Sequence, residues 1–175
     1  MIRVNDAKWY VLWVMSGEER RLLRKVKPVD SVVDALVPIE GIWERKAGLW
    51  REVEKIAFPG YLFVRCIITA ELYYRLRNLD GVINWLGRDG TTPSSVPDEE
   101  MVLVELLAGG TAQEIAQKIP LITNVRKRRA SGKVTLMGKE HRITIGWHNK
   151  QPETGGVDSS PAAGNGDQTE ADHYK

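Results

Sequence analysis

Four consecutive cations, Arg126-Lys127-Arg128-Arg129, are the densest chemically useful cluster in the chain. Guanidinium and ammonium groups at that spacing pair with phosphates, so they point to a polyanion and to salt-sensitive affinity. The charge distribution agrees. Residues 1–110 hold 15 Lys+Arg against 16 Asp+Glu, whereas residues 111–150 hold 9 against 2, a net of +7. Residues 151–175 turn acidic, with 1 against 5.

Residue types that do covalent chemistry are poorly placed. The histidines are His141, His148 and His173, and no His-x-x-x-His or Cys-His spacing suggests a metal. No glycine-rich phosphate loop follows a strand. The carboxylates Glu18/Glu19 and Asp98/Glu99/Glu100 fall at helix starts, where the helix dipole accounts for them. No catalytic residue, metal ligand or cofactor is expected, and an enzyme is not the favoured reading. The single cysteine, Cys66, forms no disulfide within one chain and fits a reducing, cytoplasmic setting. No apolar run reaches membrane-spanning length, and Met1–Lys8 lacks the apolar core of a secretory signal.

The strongest pattern is apolar. Phe58-Pro-Gly-Tyr-Leu-Phe-Val-Arg-Cys-Ile67 opens on a Pro-Gly break and continues as a strand from Tyr61 to about Ile68. Alternation puts Leu62, Val64 and Cys66 on one face and Tyr61, Phe63 and Arg65 on the other. Trp9–Val14 is a second apolar run, read as a central strand. Ser16-Gly-Glu-Glu19 is read as a capping box opening a helix that Pro28 stops. Five basic residues lie within Arg20–Lys27 and read as a solvated helix face.

The remaining elements follow in order. Ala35–Trp43 is expected to be one strand, near an edge because of Pro38. Glu44–Trp50 is expected to be a hairpin loop with Lys46-Ala-Gly48 at its tip, and Arg51–Ala57 to lead into the strand from Tyr61. Thr69 caps a helix over Ala70–Leu79 that Gly81 ends, and Val82–Leu86 is a short strand. A helix from Pro97-Asp-Glu-Glu100 runs to about Ala108, and Gly109-Gly110 is the likeliest boundary. Thr111-Ala-Gln-Glu114 opens a short helix ending before Pro120. Lys133–Met137 and Glu140–Trp147 form a hairpin around Gly138-Lys139, taken as a type II′ turn. Val134, Leu136, His141, Ile143 and Ile145 share one face of it. A lone hairpin is marginal in water, so it must dock on something. Gln151–Lys175 has the composition of a disordered tail.

The expected fold is α+β: a four-stranded mixed or antiparallel sheet with about three short helices, then a short helix and a basic β-hairpin. Helices of that number cover one face of such a sheet. The other face, with Trp9, Trp13, Tyr61 and Phe63, is expected to stand open as a partner site. The alternative is that the C-terminal hairpin or short helix covers it.

Trp9-Tyr-Val with Ser16-Gly, Val37-Pro, Phe58-Pro-Gly-Tyr-Leu-Phe-Val64, Gly81-Val, Leu86-Gly and Pro97-Asp-Glu-Glu100 together resemble the N-terminal (NGN) domain of NusG-type transcription elongation factors. The resemblance covers roughly residues 8–108, and its spacing looks like that of a specialised paralogue of the RfaH or LoaP kind. It implies a non-enzymatic protein, a monomer, that docks on the β′ clamp helices of bacterial RNA polymerase and suppresses pausing or termination. It places the docking cavity at Trp13, Tyr61 and Phe63, with Trp9 beside them. It also raises Arg20, Arg21 and Arg24 from solvated surface to candidate contacts with DNA or nascent RNA.

Residues 109–119 then read as a linker with a short helix, and 120–150 as the last half of the family's small β-barrel, the KOW domain. Half a barrel cannot close its edges. The family's usual partners for that domain, NusE and Rho, are therefore in doubt. The second hypothesis is a stand-alone RNA-binding module that has lost the polymerase contact.

Overall fold

The computed structural model describes residues 6–90, 92–110, 112–124 and 129–146. The expected basic run at Arg126, Lys127 and Arg128, the residue Thr111 and the acidic tail lie outside them.

A four-stranded antiparallel sheet, ordered β2-β5-β1-β6, is the frame. Its strands are β1 (Lys8–Val14), β2 (Val32–Leu36), β5 (Tyr61–Cys66) and β6 (Val82–Trp85). The two most apolar segments pair at its centre, with Trp13 opposite Tyr61, Val11 opposite Phe63 and Trp9 opposite Arg65. Directly opposed residues share a face.

One face carries Leu12, Leu62, Val64 and Cys66, and it is sealed by Leu22 and Val26 of α1 (Glu19–Val26) and Leu72 and Leu76 of α2 (Ala70–Arg77). Thr69 caps α2 as expected, its hydroxyl accepting from Leu72 N at 3.2 Å.

The opposite face is where expectation and structure part. It is covered by α3 (Asp98–Gly109), α4 (Ala112–Lys118) and a second, three-stranded sheet, β7-β8-β9 (Ile122–Asn124, Arg129–Leu136, Lys139–Gly146). Tyr61 and Phe63 share one buried cluster with Met101, Val104, Ile115, Val134, Leu136 and Ile143. The helices do not all lie on one side. α1 and α2 cover one face, α3 and α4 the other, and the C-terminal hairpin docks on that second face.

Three other segments differ from expectation. Ala35–Trp43 is not one strand: the chain breaks at Val37-Pro38 into edge strand β2 and strand β3 (Ile39–Lys46). The hairpin expected around Lys46-Ala-Gly48 forms, but its loop is shorter than Glu44–Trp50: β3 and β4 (Leu49–Ile56) pair up to a turn of Ala47 and Gly48 alone, both at positive φ. The C-terminal hairpin turns on Met137-Gly138, with φ of 50° and 75°, the pattern of a type I′ turn. Val134 therefore faces His141. That pairing differs from the expected one by two residues, an even number, so every side chain keeps its face.

Candidate functional site: an aromatic face under a C-terminal sheet

The Pro59-Gly60 break sets the site. Tyr61 N donates to Phe58 O at 3.1 Å across it, with Gly60 at φ +84°, a conformation that suits glycine. The turn is held from outside by a residue of α1. Glu19, fully buried, accepts from Gly60 N at 2.7 Å and from Gly17 N at 2.7 Å. This corrects the capping-box reading: Glu18 occupies the N-cap without a side-chain bond. The Glu19 carboxylate reaches Gly17 and the distant Pro-Gly turn rather than closing a box with Ser16.

Beyond the turn, Trp9, Trp13, Tyr61 and Phe63 do lie on one face, as alternation requires. They are not open together. Phe63 is 0% exposed and Tyr61 6%, Trp9 is half-buried against the same cluster, and Trp13 alone stays out at 48%. The expectation of an uncovered docking face is corrected: the rings are grouped as expected, but a lid of the chain's own residues lies over three of them.

The lid is fastened by specific contacts. His141 of β9 sets its ring edge-to-face on Phe58 at 5.4 Å and on Tyr61 at 5.1 Å. Its Nε2 is buried without a hydrogen-bond partner among the described residues. Burial, then the nearby Lys139 charge, pushes its pKa down, favouring the neutral ring. Glu40 of β3 accepts from Thr144 N at 3.1 and 3.2 Å. Burial raises its pKa to about 7, against the opposing effects of that hydrogen bond and of Lys55. Glu100 of α3 accepts from Met137 N at 2.8 Å, holding the hairpin turn. At Gly146 a Cβ would stand 2.1 Å from Gly41 O and 2.9 Å from Ile42 Cα, so only glycine allows β9 this close to β3. Sequence reasoning missed Glu19, Glu40, Glu100 and Gly146, because their partners are tens of residues away.

The expected cations are dispersed. Arg20 pairs with Glu54 at 2.7 Å, both exposed. Arg21 is bound to Glu18 and donates to Asp80 O at 2.9 Å. Arg24 is exposed on the same helix. Arg129 lies on β8, on the far side of the second sheet from the aromatic face. No group of three or more His, Cys, Asp or Glu among the described residues could hold a metal. No helix among them is long and apolar enough to cross a membrane.

Comparison with known proteins supplies the family. The model described as "NusG: Transcription termination factor nusG" matches residues 7–105. The chain belongs to the NusG family. That is a family of transcription factors, and the four-stranded sheet with its Pro-Gly turn lies within the matched segment.

Two relatives and one solved structure show how far the likeness extends. The "Transcription termination/antitermination protein NusG" of Rickettsia felis is 32% identical over 104 residues, covering 55% of this chain and 54% of that protein. The chain thus spans about half the length of that NusG. The protein of the same description from Chlamydia trachomatis serovar D is 30% identical over 164 residues, covering 78% of this chain and 89% of its own. Similarity to NusG therefore runs beyond the matched segment into the C-terminal sheet. The structure described as "Domain interaction in Thermotoga maritima NusG" has a TM-score of 0.57 at 21% identity, covering 82% of this chain and 96% of that one, and shows the common fold.

Proposed function

We propose that this chain is a transcription elongation and antitermination factor, specialised in the manner of RfaH or LoaP. It binds the β′ clamp helices of bacterial RNA polymerase through the face of Trp9, Trp13, Tyr61 and Phe63, and suppresses pausing or termination. The carrying observation is the register that groups these rings, with Trp13 opposite Tyr61 and Val11 opposite Phe63. A further part of the proposal is that the arrangement described is a closed form. The docking face is released when β8 and β9 lift away, since His141 is the residue whose ring rests on Tyr61. Nucleic acid is contacted by cations of the C-terminal part, Arg126, Lys127, Arg128 and Arg129, with Arg20, Arg21 and Arg24 as a second group. Residues 8–108 act as the polymerase-binding domain and 120–150 as the KOW-like element, without commitment to NusE or Rho.

The test is retention on purified bacterial RNA polymerase. Gly146→Val should raise binding by forcing β9 from β3, and Trp13→Ala in that background should abolish it. Equal retention of the wild type and both variants would reject the docking assignment.

A further inference from the structure

The second sheet has two faces with opposite chemistry. Ala130, Val134, Leu136, Ile143 and Ile145 point into the shared core. Between them, Arg129, Ser131 and Lys133 of β8 and Arg142 and Thr144 of β9 point outward and floor a groove of about 680 Å³. Its wall is apolar, Pro120-Leu121-Ile122, with Ile122 81% exposed.

The cations are arranged in order. Arg129 and Lys133 are four residues apart on one strand, about 13 Å. Lys133 is directly opposite Arg142, and Ser131 directly opposite Thr144, between the cationic ends. Lys133 pairs with Glu140 at 2.7 Å, but both groups are well exposed, so a phosphate readily replaces that partner. Arg129 lies in the field of Glu44.

We infer that this outer groove, with its Arg129–Lys133–Arg142 rail, its Ser131/Thr144 hydroxyls and its Ile122 wall, binds single-stranded RNA. The ends of the rail take phosphates of one backbone that are not neighbours, the hydroxyls take ribose or phosphate oxygens between them, and the apolar wall takes an unstacked base or sugar face. A duplex presents two phosphate backbones, and one rail beside an apolar wall matches a single strand better. An acidic peptide has the charge but no planar apolar group for the wall. Because the groove is opposite the face that packs on Tyr61, RNA is held whether the lid is closed or lifted. The inference deepens the nucleic-acid part of the proposed function and is independent of polymerase docking.

The experiment is fluorescence anisotropy of the full chain with a labelled single-stranded oligouridylate, across a salt series. Duplex DNA and polyglutamate serve as competitors. Lys133→Glu with Arg142→Glu should weaken RNA binding at least about tenfold and flatten the salt slope, each phosphate contact contributing about 0.7 to it. Arg75→Glu with Arg77→Glu, the same charge change on α2, should weaken it far less. Equal loss in both double variants, or equal competition by duplex or polyglutamate, would overturn the inference. The polymerase pull-down is run separately on the Lys133/Arg142 variant. Lost RNA binding with retained polymerase supports the groove. Absence of polymerase binding in every variant, including wild type, rejects only the docking proposal and leaves the RNA result standing.

Discussion

The ring of His141 stands 5.1 Å from that of Tyr61 at 71°, edge to face, with Nε2 buried and without a hydrogen-bond partner among the described residues. A residue of the basic hairpin thus touches the strand that follows the Pro-Gly turn, 80 positions earlier in the chain. Protonating that ring would place a second charge in a site already near Lys139.

One carboxylate and one histidine make the lid sensitive to pH. Glu40 has its pKa raised to about 7 by burial. Its contribution to closure is fully present below its ordinary value of 4.5 and is lost as pH rises through about 7. His141, with its pKa lowered, acts oppositely and weakens closure as pH falls below its ordinary 6.5. Above pH 6.5 the His141 contribution fades and that of Glu40 is the larger of the two. Urea midpoints should show a loss of roughly 1 kcal/mol between about pH 6.5 and 8, absent in Glu40→Gln. A wild type as flat as the variant would remove Glu40 from the seam.

The aromatic rings cannot all be probed alike. Phe63 is fully buried, and Phe63→Ala should cost roughly 3–5 kcal/mol of stability, so lost polymerase binding in that variant would say little. Trp13 is half exposed at the rim, and its alanine variant should cost about 1 kcal/mol while removing a ring from the docking face. Thermal melts of both variants separate the two effects. A large destabilisation by Trp13→Ala would contradict its rim position.

Glu19 ties α1 to the Pro-Gly turn. Glu19→Ala leaves the buried Gly60 N–H without an acceptor and should destabilise the fold by roughly 2–4 kcal/mol. Glu19→Gln keeps one oxygen for Gly60 and should cost less. If denaturant titration finds the alanine variant as stable as wild type, the clamp contributes nothing.

Much of this was legible in the chain because strand alternation is local. It placed Trp13, Tyr61 and Phe63 on one face, and Val134, Leu136 and Ile143 on one face of the hairpin. What was not legible was which layers met. Glu44 and Arg45 of β3 and Arg51, Glu52 and Glu54 of β4 interrupt the apolar pattern, so the hairpin was legible at its tip but not its pairing along the whole length. Both tight turns put a non-glycine residue, Ala47 or Met137, at positive φ, where local rules expect glycine or asparagine. The seam depends on Gly146 meeting Gly41 and on Glu40 meeting Thr144, separations of about a hundred residues that periodicity does not register.

The most direct measurement is amide hydrogen exchange across residues 129–146, in the free protein and bound to RNA polymerase. A lid that closes over Tyr61 predicts strong protection in the free chain, including the amides of Met137 and Thr144 that donate to Glu100 and Glu40. Those two amides should lose protection on the polymerase while Trp9–Val14 gains it. Fast exchange of 129–146 in the free protein, or unchanged protection there with polymerase bound, would contradict the account.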